Sequence, residues 1–246
     1  MTNQLALLTL PDEVQSQLSS GAVSERDGRM LARHLKDHPG LNAEGLLGYL
    51  SFVVTQCAGD HAAALALYRW NSDVAAAFFE PIGHLEIMLR NALDAQLVAG
   101  QQRRGRTADW YTDRKVPFGD KARADIAQAQ QRAGRRGTAI PRGKVIAELS
   151  FGFWRFLLAR QYKTKLWPDL AGAFPHAPDR ALSTVEDPVG RLHKFRNRIA
   201  HHEGIWHLPL DARRNDIQTV IGFIAPAAAT WVHDASRIND VLARRP

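Results

Sequence analysis

The 246-residue sequence predicts an all-α fold. Apolar residues recur at three- and four-residue spacing over long stretches, which is the period of an amphipathic helix. No set of neighbouring segments alternates apolar and polar residues as the strands of a sheet would. The hydrophobic fraction of 45% and the charged fraction of 23% are those of a globular protein with its own core, which excludes a wholly disordered or collagen-like chain.

The apolar spacing, together with Gly and Pro residues, places the helices along the chain. Asp60 is a suitable N-cap, and Pro81 either begins a new helix or kinks the preceding one. Gly100 is expected to end the apolar stripe that follows. The predicted helices are 24–38, 43–56, 60–80, 81–100, 121–136, one that starts at Pro141, 188–202 and 216–232. We divide the chain into an N-terminal helical extension, 1–59, and a main helical domain, 60–246.

Basic residues are concentrated in the segment 101–143, which we call the basic arm and predict to be extended and only partly helical. Between Gln101 and Lys144 there are twelve basic and four acidic residues, a net charge of +8, whereas the rest of the chain carries −1. Such a segment can bind a polyanion by displacing counterions, or it can be a solvated surface. The residues we expect to contact RNA are Arg103, Arg104, Arg135 and Arg136.

The chain is expected to be cytoplasmic and to have no membrane partner. Cys57 is the only cysteine, so the chain has no internal disulfide and no zinc site made of cysteines, and a buried structural thiol is expected. The first ten residues contain no Lys or Arg, unlike a signal peptide. The apolar stretch 217–232 is shorter than the roughly 20 residues of a spanning helix.

Four histidines crowd the segment 193–207, which raises the question of a metal site. His202 and Glu203 are followed by His207, one residue too far for the His-Glu-x-x-His spacing that brings two imidazoles to one metal ion. His193 and His201 are eight residues apart and cannot chelate one ion side by side. No phosphate-binding glycine loop, dinucleotide fingerprint or Asp-x-Asp pair for Mg²⁺ is found either. We therefore expect no metal and no cofactor.

The segment RNRIAHHE contains groups that suit acid–base chemistry at a phosphate. Asn197 and His201 are four residues apart and are therefore predicted to share one helix face, where the Asn amide can orient the imidazole. An imidazole with a pKa near 6.5 can take a proton from a ribose 2′-hydroxyl or donate one to a leaving oxygen. The guanidinium of Arg196 would stabilise the negative charge that grows on the phosphate oxygens.

The spacing from Arg196 to His201 alone is weak evidence. It also occurs from Arg29 to His34 and from Arg33 to His38, where a basic helix face is the simpler interpretation. Only the third case has an Asn directly after the Arg and a His-His-Glu run at its end.

The rest of the chain adds to this pattern. Four stretches occur in order: LYRWNSDVAAAFFEPIGHLEIMLRNAL at 67–93, LSFGFWRFLL at 149–158, LWPDL at 166–170 and FRNRIAHHEGIW at 195–206. Together they resemble the Abi-like abortive-infection proteins of the HEPN superfamily of α-helical nucleases. The resemblance covers roughly residues 60–232.

The resemblance implies an all-α HEPN-like bundle that cleaves RNA without a metal, with Arg196, Asn197 and His201 as the catalytic motif. It also implies a homodimer, because HEPN sites usually assemble from two copies of the motif. Members act as toxins or antiviral effectors, in some cases with a cognate antitoxin. The alternative is a non-catalytic RNA- or protein-binding module of the same fold.

Other polar residues are candidates for supporting roles. Glu86 and Arg90 are four residues apart, so that with Asn91 they form either a helix-surface ion pair or a polar shell around the Arg196–His201 site. His202 either caps a helix or supports the site. The pair Trp110–Tyr111 either stacks on RNA bases or anchors the basic arm.

Overall fold

The structure is a computed structural model that describes residues 61–134 and 140–246. The predicted helices 24–38 and 43–56, the N-terminal extension and Cys57 lie outside these residues. The two described ranges contain helices and turns and no strand. The all-α prediction is therefore confirmed.

We number the α-helices of the described residues in chain order. They are α1 His61–Arg103, α2 Asp120–Ala133, α3 Arg142–Glu148, α4 Phe151–Leu157, α5 Trp167–Leu170, α6 Leu182–Ala200, α7 Leu210–Ile224, α8 Pro226–Ala235 and α9 Ile238–Leu242. Short 3-10 helices occur at Arg160–Tyr162 and Ala171–Ala173. Across the described ranges, no helix combines the length and the apolar composition needed to cross a membrane.

The chain divides into two compact units. In its described part, the first unit comprises residues 61–75, 199–207 and 240–246. The second unit comprises 76–198 and 208–239.

In the first unit, α1 is joined to the two other described segments by polar contacts. The indole Nε1 of Trp70 donates a hydrogen bond of 2.8 Å to the carbonyl of Val241, and the guanidinium of Arg245 lies 5.3 Å from the Trp70 ring centroid. The side-chain oxygen of Asn71 accepts hydrogen bonds from the amides of Ile205 at 2.8 Å and Trp206 at 3.0 Å. Asn71 therefore holds the segment that follows α6.

The core of the second unit is built on an aromatic cluster around Trp110, which is fully buried. Its ring packs against Phe118, Phe153 and Trp154 at centroid distances of 5.7, 6.2 and 5.9 Å. The indole Nε1 of Trp110 donates to Asp94 on α1 at 2.7 Å, so the one polar atom of this buried ring is satisfied.

Of the two alternatives for Pro81, the start of a new helix is wrong, because α1 runs through this residue. A proline inside a helix cannot donate the backbone hydrogen bond to the residue four positions earlier, which costs about 3 kcal/mol in a helix interior. Pro81 lies in the most buried stretch of α1, between Phe78 and Leu85, both of which are 0% exposed. Burial of this face offsets the loss, and the helix continues.

The single helix predicted over 216–232 is two helices. Ala225 adopts an extended conformation (φ −156°, ψ 102°) between α7 and α8, and Pro226 starts α8. The proline ring disfavours the helical conformation of the residue before it, so the helix ends at Ile224.

The helix predicted over 188–202 is α6, which begins six residues earlier and ends two residues earlier than expected. Asp179 Oδ1 accepts hydrogen bonds from the amide of Ala181 and the hydroxyl of Thr184, which supports the earlier start. At the other end, His202 has a φ of +56°, and its amide donates to the carbonyl of Ile199. A left-handed residue just beyond the last turn ends a helix.

The basic arm is not extended, although α2 confirms that it is partly helical. Trp110 and Tyr111 are buried, and α2 buries Ala122, Ile126, Ala129 and Ala133. The polar composition of the arm conceals this packing, because the buried face of α2 consists of three alanines and one isoleucine. Trp110 and Tyr111 therefore anchor the segment, and Trp110 has no exposed surface on which a base could stack.

Candidate functional site

The Arg-Asn-x-x-x-His motif is divided between the two units of the chain. Arg196 and Asn197 lie in the last turns of α6 and belong to the second unit. His201 is the first residue after α6 and belongs to the first unit, where its side chain is exposed. The shared helix face predicted for Asn197 and His201 is wrong, because α6 ends at Ala200.

The guanidinium of Arg196 is held by Glu86 of α1. Its Nε donates to Glu86 Oε1 at 2.9 Å, and the side chains are 34% and 25% exposed. The two terminal nitrogens of Arg196 have no hydrogen-bond acceptor among the described residues. One edge of the guanidinium is therefore fixed, and the other can bind an anion.

Glu86 does not pair with Arg90, its neighbour four residues along the helix. Arg90 Nε instead donates to Asn91 Oδ1 at 3.3 Å, and Asn91 is exposed. Glu86 therefore contacts the predicted catalytic arginine, whereas Arg90 and Asn91 bind each other.

A histidine outside the predicted site lies near Arg196. Burial lowers the pKa of His193, one turn earlier in α6, and the positive charges of Arg155 and Arg196 lower it further. Its ring is held edge-on by Phe151 of α4, with the centroids 5.5 Å apart. Burial and the two nearby guanidinium groups thus all oppose protonation of this imidazole.

His201 lies on a segment with a fixed backbone. The left-handed conformation of His202 ends α6, and three residues later the Ile205 amide binds Asn71. Of the two roles considered for His202, the structure shows the capping role, which its backbone performs. The side chain of His202 is exposed. The His201 side chain is open to solvent on a short loop with both ends fixed.

Two of the four arginines expected to contact RNA are engaged by one carboxylate. Arg103 and Arg104 each place a terminal nitrogen 2.7 Å from Asp169, and together they lower the pKa of this carboxyl against the effect of burial, which raises it. Arg104 also lines a cavity of about 210 Å³ together with Arg106 and Lys165. Arg135 and Arg136 lie outside the described residues.

Within 61–134 and 140–246 there is no group of three or more His, Cys, Asp or Glu side chains that could hold a metal ion.

The sequence did not single out Asn71 and Arg155, and His193 was considered only as a metal ligand. Asn71 and Arg155 lie within two of the stretches that carry the resemblance, but nothing in their spacing indicates what they contact. His193 lies three residues before Arg196, a spacing that puts both side chains on one helix face. The proximity of these two residues could therefore have been predicted from the sequence. The partners on α1 and α4 are decided by the packing of helices that are distant in sequence.

No protein-family model, curated protein or solved structure matches the chain. The resemblance to the Abi-like proteins therefore rests on the four stretches of sequence alone.

Proposed function

We propose that this protein is a metal-independent endoribonuclease that acts in the cytoplasm as an abortive-infection or toxin–antitoxin effector. The observation that carries the proposal is the contact between Glu86 and Arg196. It fixes one edge of the guanidinium and leaves the terminal nitrogens available to a phosphate. The resemblance supplies the substrate class, which is RNA.

In this proposal, the side chains act on a ribose 2′-hydroxyl and the adjacent phosphate. His201 accepts the proton of the 2′-hydroxyl, whose oxygen then attacks phosphorus. The bond from phosphorus to the 5′-oxygen breaks, and a water molecule donates a proton to that oxygen. His201 then returns its proton to the resulting hydroxide, so that the enzyme is regenerated. The products are a 2′,3′-cyclic phosphate and a 5′-hydroxyl. Arg196 stabilises the charge on the phosphate oxygens, and the resemblance implies that Asn197 belongs to the same catalytic motif.

The test is cleavage of total RNA in EDTA by the wild type and by His201→Ala. The matched control is His176→Ala, which removes an exposed imidazole from the second unit. Wild type and control should cleave RNA, leaving cyclic phosphate ends, and His201→Ala should lose at least about a hundredfold in rate.

All three proteins should have the same melting temperature and oligomeric state. Equal cleavage by all three would contradict the assigned role of His201. No cleavage by any of them would favour the alternative, a non-catalytic RNA- or protein-binding module.

The partners that we propose are RNA, a second copy of the chain and a cognate antitoxin. The surface proposed for the second copy is formed by exposed apolar side chains of α1 and α8. Phe79 and Ile87, two turns apart on α1, are 56% and 47% exposed, and Trp231 of α8 is 57% exposed. Trp231 contacts His84 of α1 with ring centroids 4.9 Å apart, so α8 lies beside α1 at this point.

A further inference from the structure

Helices α4 and α6 approach each other closely, with a glycine of one beside a basic side chain of the other. A Cβ atom at Gly152 of α4 would lie 3.3 Å from Nε2 of His193 on α6. A Cβ atom at Gly190 of α6 would lie 3.6 Å from Nη2 of Arg155 on α4. The two basic side chains thus lie across the same pair of helices.

Arg155 has an unsatisfied hydrogen-bond donor. Its Nε is buried and has no acceptor within the described ranges, although the residue as a whole is half-buried. A buried donor on a charged group that lacks an acceptor destabilises the folded chain. An incoming oxygen that reached the guanidinium after a small rotation would remove this penalty.

His193 also lacks a hydrogen-bond partner. Its ring contacts Phe151, but neither ring nitrogen makes a hydrogen bond to the described part of the chain. Arg155 and Arg196 both act on it electrostatically. Because Arg196 lies one turn further along α6, both guanidinium groups lie near the His193 imidazole in the second unit.

We propose that Arg155, His193 and Arg196 form a binding site for a phosphate group of the RNA backbone. Two guanidinium groups present planar sets of N–H donors, which match the oxygens of a phosphodiester. The imidazole adds a third donor without adding a full charge. Glu86 fixes Arg196 from the side opposite its open nitrogens, so its carboxylate leaves them available to the anion.

This site deepens the proposed function, because RNA as the source of the phosphate rests on it. Binding of the phosphate does not require cleavage. The two proposals can therefore fail separately, provided that binding is measured with an RNA that cannot be cleaved.

The test measures binding of a 2′-O-methyl oligoribonucleotide at fixed salt by the wild type, Arg155→Met and Arg160→Gln. Arg155→Met retains the bulk of the side chain against Phe156 and removes the charge. Arg160→Gln removes one positive charge from an exposed side chain nearby and is the matched control. We expect Arg155→Met to weaken binding roughly ten- to a hundredfold, and Arg160→Gln to weaken it no more than about threefold.

A second readout is specific to the phosphate. The imidazole ¹⁵N signals of His193 are titrated with pH, alone and with the oligonucleotide. A bound phosphate should raise the pKa of His193, because its negative charge opposes the two guanidinium groups. Inorganic phosphate is the parallel probe and should produce a smaller rise at equal concentration if the site is built for a nucleic-acid backbone.

Melting temperatures show whether Arg155→Met weakens binding by removing a phosphate contact or by destabilising the fold. Arg155→Met should melt at or above the wild-type temperature, because it removes an unsatisfied buried donor. Equal binding by Arg155→Met and Arg160→Gln, or no change in the pKa of His193 with either probe, would overturn the proposal. Normal binding without any cleavage of natural RNA in EDTA would leave the phosphate site in place and remove the ribonuclease.

Discussion

Arg196 is held at one edge by Glu86 and is open at the other. Both side chains are partly exposed, so screening by solvent limits the contribution of the ion pair to stability to less than about 1 kcal/mol. Its main effect is on position. A guanidinium fixed in this way loses less conformational freedom when it binds a phosphate than a flexible one would.

Asn71 fixes the backbone of the segment that follows His201, as Glu86 fixes the guanidinium of Arg196. Asn71→Ala removes the acceptor of two backbone amides, one of which belongs to the fully buried Ile205. We expect the free energy of unfolding to fall by about 2 kcal/mol, measured by urea denaturation. Asn71→Asp keeps an acceptor oxygen and should lose less.

Ser72→Ala is the control for Asn71→Ala, because within the described part of the chain its exposed hydroxyl binds only the carbonyl of Tyr68. Its free energy of unfolding should change by no more than about 0.5 kcal/mol. A similar loss for the alanine variants at 71 and 72 would show that Asn71 does not hold the segment.

At the scale of the element, α1 shows that burial overrides local helix signals. Pro81 does not interrupt the helix and Gly100 does not end it, because the packed face of α1 continues past both. Gly100 leaves room for two neighbouring side chains. A Cβ atom there would lie 3.0 Å from Arg104 Nη1 and from Asp169 Oδ2. A Cβ atom at this position would therefore require the side chains of Arg104 and Asp169 to shift by a few tenths of an ångström.

Two glycines of α1 should respond in opposite ways to alanine. At Gly83 an added Cβ has no atom within 4 Å, so Gly83→Ala should stabilise the protein by about 1 kcal/mol through helix propensity. Gly100→Ala gains the same propensity but displaces the Asp169 cluster, and we expect a net loss of about 1 kcal/mol or more. Thermal unfolding of both variants checks this, and two shifts of the same sign would contradict it.

At the scale of the whole molecule, large apolar side chains of α1 and α8 are exposed to solvent in a single copy of the chain. Large exposed apolar side chains that cluster mark an interaction surface more often than isolated ones do. If a second copy covers it, light scattering should give the mass of a dimer for the wild type. The double variant Phe79→Ser/Trp231→Ser should be a folded monomer.

The matched control for this surface is Ile140→Ser, which removes a side chain 40% exposed, two residues before α3. It should have the same mass as the wild type. A monomeric wild type, or a double variant that is still dimeric, would show that the second copy does not bind here.

The all-α class and the position of α2 could be predicted from the sequence, because both depend on interactions between residues a few positions apart. The Pro226 break could have been predicted on the same basis, since the restriction acts on the preceding residue. The continuity of α1 could not, because the burial that compensates for Pro81 comes from distant segments.

The sequence by itself determined the helical class, the concentrated positive charge and the chemistry available at Arg196, Asn197 and His201. The tertiary structure alone decided that Glu86 binds Arg196 rather than Arg90, that Asp169 engages Arg103 and Arg104, and that Arg155 and His193 lie near Arg196. Periodicity shows which face of a helix is apolar, whereas the partner of a polar side chain depends on which helix packs against that face.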